Sequence, residues 1–264
     1  MSLSGKTLKA SYVDLLQMDN SNNGLDTVSR KIKDGEGTLS ALALSDDVVN
    51  IQPNNHDTTA SLQVRATNGD TVMKVDTTNQ LMYGSGNIVN TQYATFSIGG
   101  GESANFVDDT HHPITFSSSN YSSGLSGYIP AFGTGTDPAT TFTTAEGNGT
   151  RASELVPVMW YVPDAMSIDS VHSIEGADTA TGDTTRMHLF SYDFNSGDTD
   201  VLENGTLLAH NSDVTNAGSE QPYLSSWTVD SADVDANKVI LAFFRAVSIN
   251  SDYSINITVK YHLT

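Results

Sequence analysis

The sequence predicts an all-β protein: an extended N-terminal arm and a small β-meander, followed by an antiparallel β-sandwich or jelly-roll head. The acidic residues comprise 24 Asp against 7 Glu, and Asp favours turns whereas Glu favours helices. From Gln92 onward, short apolar runs alternate with turn signals at the spacing typical of antiparallel sandwiches. The last segment alternates strictly between apolar and polar residues, which indicates a half-buried strand.

Three segments of the head, residues 92–264, carry the most informative strand patterns. Ser254–Leu263 alternates apolar and polar side chains, so we expect one buried and one wet face. Val239–Val247 is apolar on both faces, which predicts a central strand buried on both sides. Leu155–Val162 is a further apolar run, and we expect a strand there as well.

Residues 1–50 predict an extended attachment arm. Apolar residues come in short clusters that turn-rich stretches separate, among them 19–24 and 34–37. Such a composition does not supply a core of its own, so the segment is either disordered or needs a partner surface, and we expect a partner surface. The apolar side chains expected at that attachment or oligomer surface are Tyr12, Leu15, Leu16, Leu42 and Leu44.

Residues 51–91 predict a small β-strand unit. Leu62 and Val64 alternate with polar neighbours, the turn signal at 68–70 follows, and the next apolar run includes Val75. A unit this small exposes an apolar face. We expect self-association to cover that face, with Leu62, Val64 and Val75 at the contact.

Composition excludes several classes of protein. The 264 residues include no Cys, which excludes a disulfide framework, a thiol nucleophile and a cysteine-rich zinc site. The net charge is −19, and residues 75–264 hold 5 basic against 22 acidic groups, which disfavours nucleic acid and anionic membranes as partners. No apolar run is long enough for membrane insertion, and we expect no signal peptide at the N-terminus.

One loop offers the oxygen ligands that calcium prefers. Asp193, Asn195, Asp198 and Asp200 fall within eight residues of an expected hairpin loop. Carboxylate and amide oxygens are typical Ca²⁺ ligands. The alternative, an acidic β-turn without a metal, explains the same residues and is the favoured interpretation. No other cofactor is expected.

Aromatic residues near acidic loops are a pattern typical of sugar binding. Trp160, Tyr161 and Trp227 are therefore candidates for receptor or glycan contact. The favoured alternative places these rings in the core, because most of them lie within apolar runs.

Catalytic motifs are missing from the chain, which predicts a protein without enzymatic activity. There is no G-x-S-x-G segment. Carboxylate pairs of the kind that glycosidases use arise by chance among 31 acidic residues. No catalytic residue is therefore assigned.

The first eighty residues resemble the N-terminal segment of virion appendage proteins from tailed, often marine, bacteriophages. The segments that carry the resemblance are YVDLLQMDNSN (12–22), DGEG (34–37), SALALS (40–45), LQVRA (62–66) and MKVDTTN (73–79). It implies a homotrimer on the virion exterior, assembled in the host cytoplasm, with an N-terminal attachment region and an exposed C-terminal head. A tail fibre or spike that attaches to the host is the leading expectation, and a capsid-decorating protein with a strapping N-terminal arm is the alternative. Partners would be other copies, tail or capsid proteins and a host-surface receptor.

Overall fold

The structure is a computed structural model, and it confirms the all-β prediction. It describes residues 16–18, 20, 23–101, 110–117, 132, 155–177, 181–197, 202–217, 221–246 and 253–264. The chain divides into two units, Met1–Val89 and Asn90–Thr264. The second unit is called the head.

The first unit contains an antiparallel four-stranded sheet where the sequence predicted an extended arm. Its strands follow chain order: β1 (Gln17–Met18), β2 (Arg30–Lys33), β3 (Leu39–Leu44) and β4 (Val49–Ile51). The turn between β2 and β3 explains the difference from the expectation. The Asp34 carboxylate accepts hydrogen bonds from the backbone N–H groups of Glu36 and Thr38, and Gly37 takes a φ of +91°. The turn-rich sequence thus closes a hairpin.

A second antiparallel four-stranded sheet follows in the first unit. Its strands are again in chain order: β5 (Leu62–Arg65), β6 (Thr71–Asp76), β7 (Leu81–Gly84) and β8 (Asn87–Ile88). Gly69, at a φ of +92°, closes the turn between β5 and β6. At the next turn, the Asp76 carboxylate accepts hydrogen bonds from the backbone and side-chain nitrogens of Asn79, both at 3.0 Å.

The head is a sandwich of two antiparallel sheets. Its strands are β9 (Thr91–Gly101), β10 (His112–Ile114), β11 (Trp160–Val162), β12 (Met166–Ala177), β13 (Thr184–Phe194), β14 (Leu202–His210), β15 (Val214–Thr215), β16 (Gln221–Ser226), β17 (Thr228–Val229), β18 (Asp233–Val234), β19 (Lys238–Ala246) and β20 (Tyr253–Leu263). The seven-stranded sheet has the order β10-β19-β13-β14-β17, with β11 beside β19 and β15 beside β13. The five-stranded sheet has the order β16-β12-β20-β9, with β18 beside β12.

Strand β19 is central and buried on both faces, as its sequence predicted. It pairs with β13 along one edge and with β10 and β11 along the other. Ile240, Ala242 and Phe244 point into the core between the two sheets. Alternate residues of the strand face a second cluster on the outer side of the sheet, which consists of Phe132, Leu155, Val158, Phe190, Tyr192, Leu202, Val239, Leu241 and Phe243.

Strand β20 confirms the prediction of one buried and one wet face. Ile255, Ile257 and Val259 are buried in the core between the sheets, whereas Ser254 and Asn256 are exposed. The alternation follows from the period of two in a strand. Its buried face packs towards the apolar residues of β19 and so closes the sandwich.

The predicted strand over Leu155–Val162 is only partly correct. Val156–Val158 form a short 3₁₀ helix, and strand β11 begins at Trp160. Pro157 lies within the helix, and proline cannot donate the hydrogen bond that a strand ladder needs. In the part of the chain that the structure describes, no helix has the length and apolar composition of a membrane span.

Candidate functional site

The second sheet of the first unit has one face made of apolar side chains. Leu62 pairs with Val75, which in turn pairs with Met82, and Val64 pairs with Met73. Paired residues in a sheet share a face, so these five side chains form one patch, which we call the β5–β7 face. Val64 is 47% exposed and Met82 is 44% exposed. In the part of the chain that the structure describes, the patch is therefore partly exposed.

The opposite side of the same sheet is largely polar. Gln63, Lys74 and Tyr83 lie on it in register. The Lys74 ammonium lies 4.3 Å from the centre of the Tyr83 ring, which is a cation–π contact. A sheet with one polar and one apolar face normally covers the apolar face with a second layer.

The first sheet has the same character. Leu42 pairs with Ile51 and Leu44 pairs with Val49, which places these four side chains on one face, here called the β3–β4 face. Val49 is 69% exposed, and Leu42 and Ile51 are each 37% exposed. Among the described residues up to 89, Ala43 is the one buried apolar side chain. The first unit thus has no apolar core of its own among its described residues.

The structure places most of the predicted contact residues on these two faces. Leu62, Val64 and Val75 share the β5–β7 face, and Leu42 and Leu44 share the β3–β4 face. Leu16, just before β1, is 68% exposed. Tyr12 and Leu15 lie outside the described residues.

Sequence reasoning missed four members of the two faces. They are Val49, Ile51, Met73 and Met82. Met73 and Val75 lie on either side of Lys74, at the spacing of one strand face, which was a usable signal. Val49 and Ile51 join their face only through the register of β4 against β3, which the sequence alone does not specify.

At the predicted calcium loop, Asp193 already has partners for both carboxylate oxygens. Lys238 Nζ lies 2.5 Å from Oδ1, and Asn204 Nδ2 donates to Oδ2 at 2.7 Å. These hydrogen bonds hold the pKa of Asp193 below its ordinary value. Asn195 directly follows β13, and Asp198 and Asp200 lie outside the described residues. Among the described residues, no three His, Asp or Glu side chains are grouped to hold a metal ion.

Two of the three aromatic candidates for glycan contact are core residues, which confirms the favoured interpretation for them and makes the glycan interpretation wrong. Trp160 and Trp227 are 7% and 8% exposed within the core between the sheets. Trp160 stacks on Phe116, and Trp227 Nε1 donates a 2.9 Å hydrogen bond to Ser173 Oγ. Trp160 begins strand β11, and Trp227 lies between β16 and β17. Tyr161 is 51% exposed, and its hydroxyl donates to Asn237 Oδ1 at 2.6 Å.

The head also contains a buried acid that the sequence did not single out for binding. Glu175, on β12, is 3% exposed. Thr185 Oγ1 donates a 2.6 Å hydrogen bond to Glu175 Oε2, and Glu175 Oε1 has no hydrogen-bond partner. Burial raises the pKa of Glu175 to about 7, against the lowering effect of the Thr185 hydrogen bond. No local motif marks Glu175, because its burial depends on how the sheets pack.

The chain was compared with known proteins. No family model matches it, and no curated protein matches it in sequence. Among solved structures, it is similar to the Eiger TNF from S. frugiperda, with 10% identity and a TM-score of 0.28. The match covers 66% of this chain and 94% of that one. A likeness at this level does not identify the function of this chain.

Proposed function

We propose that this chain is a non-enzymatic structural protein of a tailed-phage virion. In this proposal it forms a trimeric tail fibre or spike, and its sandwich head points outward to attach to the host. The observation that carries the proposal is the pair of uncovered apolar faces in the first unit. The resemblance of the first eighty residues to phage appendage proteins supports the assignment to a phage virion.

The β3–β4 and β5–β7 faces need a cover. A one-layer sheet with an apolar side in water is marginal by itself. Burying one Val, Leu or Met side chain contributes about 1.5–3 kcal/mol. Other copies of the chain are the simplest cover, because three chains around a symmetry axis can all turn the same apolar face inward. The exposed side chains therefore support assembly through the first unit.

The head supports the second half of the proposal. It holds 31 buried apolar side chains among its described residues, so its fold has a core within one chain. A self-sufficient head can extend from a particle and present its loops to a receptor. In this division, residues 1–89 assemble and attach, and the head makes contact with the host.

The alternative is a trimeric capsid-decorating protein, of the cement or head-fibre kind, whose N-terminal part straps onto the capsid. The same apolar faces would then be covered partly by capsid subunits. Both functions require the first unit to bind other proteins, so its sheets do not separate them.

The number of copies per particle separates the two functions. Quantitative mass spectrometry of purified particles against the major capsid protein gives that number, and light scattering gives the mass of the isolated protein in solution. A trimer in solution with few copies per particle, in a multiple of three, is the expected result. Hundreds of copies would select the decorating protein. A monomer in solution that is absent from the particle would overturn both.

A further inference from the structure

A small crevice of about 10 Å³, with room for one water-sized particle, opens at one end of the head. Strand β9 starts next to Asn90, and its other end, Gly101, pairs with Tyr253. Tyr253 also pairs with Ala177, the last residue of β12. The crevice is lined by Glu175 and Tyr253, so it lies at the end of the head farthest along β9 from Asn90.

Two buried carboxyl groups line the crevice without a cation. Glu175 is 3% exposed and Asp183 is 8% exposed. Among the described residues that line it, there is no Lys, Arg or His. Buried carboxylates normally have an opposite charge beside them. The partners here are hydroxyl groups: Thr185 donates to Glu175, and Tyr253 donates to Asp183 Oδ2 at 3.1 Å.

An amide in the same crevice gives a second, independent observation. Asn216 is 6% exposed and lines the crevice, yet its Nδ2 has no hydrogen-bond partner. Its Oδ1 lies 3.4 Å from the Tyr223 hydroxyl, which also lies 2.9 Å from Gln221 Oε1. The oxygen and nitrogen of a side-chain amide exchange places on a half-turn. After the Asn216 amide is rotated by a half-turn, its Nδ2 would donate to the Tyr223 hydroxyl. Its Oδ1 would then occupy the buried position where Nδ2 now has no hydrogen-bond partner.

We propose that this crevice binds a divalent hard cation, Ca²⁺. It joins carboxylate oxygens of Glu175 and Asp183 with the amide oxygen of Asn216 and the hydroxyl of Thr185. Ca²⁺ takes six to eight oxygen ligands in flexible geometry, and water from the open side completes such a set. The space left between the walls suits a single water-sized particle. With two carboxylates, the expected dissociation constant is on the order of 10⁻⁴–10⁻³ M.

Bound Ca²⁺ would link the two sheets of the sandwich. Glu175 belongs to β12 of the five-stranded sheet, and Thr185 belongs to β13 of the seven-stranded sheet. Asp183 and Asn216 are tied to each other through their backbones, since Asn216 N donates to the Asp183 carbonyl at 2.8 Å. A cation held between these groups stabilises the folded head, because the unfolded chain does not assemble the ligands.

Terbium luminescence tests the site in the full-length protein. Tb³⁺ replaces Ca²⁺ at oxygen sites, and the tyrosine rings that line the crevice, Tyr223 and Tyr253, would sensitise it. We expect one sensitised Tb³⁺ per chain, displaced by Ca²⁺. Glu175→Gln should weaken binding at least tenfold. Glu203→Gln removes the same charge from an exposed position and should leave binding unchanged.

A variant with tighter binding shows that a loss of binding in another variant is not simply misfolding. Asn216→Asp adds a third carboxylate to the crevice and should tighten Ca²⁺ binding several-fold. Ca²⁺ should also raise the melting temperature of the wild type but not that of Glu175→Gln. If no Ca²⁺-displaceable site exists, or if Glu175→Gln and Glu203→Gln weaken it equally, the proposal is wrong. Loss of the site in Asp193→Asn alone would assign it to the acidic loop instead.

This inference is independent of the proposed virion function. The crevice is built from residues of the head alone. A monomeric protein that binds Ca²⁺ would overturn the trimer and leave the site intact. A trimer without a Ca²⁺ site would overturn the Ca²⁺ proposal and leave the trimer proposal intact.

Discussion

The two units of this chain use β-strands in opposite ways. The head stacks two sheets, and 31 of its described apolar side chains are buried. The first unit forms two separate four-stranded sheets, and among its described residues only Ala43 is a buried apolar side chain. The head therefore has its stabilising contacts within one chain, whereas the first unit exposes the side chains that would stabilise it.

The contrast shows that strand pattern and strand burial are separate properties. Val64 in the first unit and Ile257 in the head both sit in alternating strands. Ile257 is fully buried because a second sheet lies over it, whereas Val64 is 47% exposed and the described residues up to 89 contribute no buried apolar side chain except Ala43. We expect the two units to respond differently to separation, substitution and pH.

Separating the units should have the largest effect. Residues 90–264 expressed alone should unfold cooperatively as a monomer, because the head has a complete core. Residues 1–89 alone should show little stable structure at low concentration, because one-layer sheets are marginal. Circular dichroism and light scattering over a concentration series measure both. A fragment 1–89 that is folded and monomeric would remove the argument for assembly.

Val64→Asp should break assembly and spare the head. A carboxylate on the β5–β7 face would be buried in the assembly without a partner, at a cost of about 3–5 kcal/mol per chain. Gln63→Asp, its neighbour on the polar side of the same strand, is the matched control and should assemble normally. Native mass spectrometry gives the number of chains, and the melting transition of the head should not move. Val64→Asp chains that remain assembled would show that this face is not an interface.

Phe243→Ala should destabilise the head and leave assembly unchanged. Phe243 is fully buried on the outer side of β19, with ring contacts to Phe132 and Phe190. The truncation leaves a cavity and should lower the free energy of unfolding of the head by about 3–5 kcal/mol. Denaturant unfolding of the head measures this loss, and the number of chains per assembly should stay the same. A change below 1 kcal/mol would mean that the outer cluster is not a packed core.

Glu175 should give the head a smaller, pH-dependent instability when divalent cations are removed with a chelator. Burial raises its pKa from 4.5 to about 7 in the folded state. Between these values the folded head keeps a proton that the unfolded chain has lost, so stability is fully present below pH 4.5 and falls as pH rises through 7. The fall should amount to about 1–3 kcal/mol.

The difference between wild type and Glu175→Gln isolates this effect. The neutral amide imitates the protonated acid, so the variant should lose the Glu175 contribution and be the more stable of the two at pH 8. Urea unfolding at intervals from pH 5 to pH 8 measures the difference, and other titrating groups cancel from it. If the free energies of unfolding of the two proteins change with pH in the same way, Glu175 is in contact with water and the prediction is wrong.

Much of the head was predictable from local pattern. Strand β20 follows its alternation, and β19, which is apolar on both faces from Val239 to Phe244, is central because such a stretch has no polar side to turn to water. The sequence was less informative where turns decide the outcome. The Asp34 and Gly37 turn closes a hairpin in a region predicted to be extended, and Pro157 replaces part of a predicted strand with a 3₁₀ helix.

The sites depended more strongly on tertiary structure. Leu62, Val64 and Val75 were predicted to act together, and strand register places them on one face. Trp160 and Trp227 lie in the core rather than at a glycan surface, because the second sheet covers them. Glu175 lies about ten residues from Asp183 and Thr185 and some forty from Asn216, so no local motif links them.

The sequence by itself determined the β class, the strands of strongest alternation and the absence of cysteine chemistry. These properties follow from side-chain periodicity and composition, which act over a few residues. Tertiary structure alone decided which apolar faces are covered and which polar groups are buried together. Burial depends on contacts between strands that are distant in the chain, and the same alternating strand is a core element under a second sheet or an open surface without one.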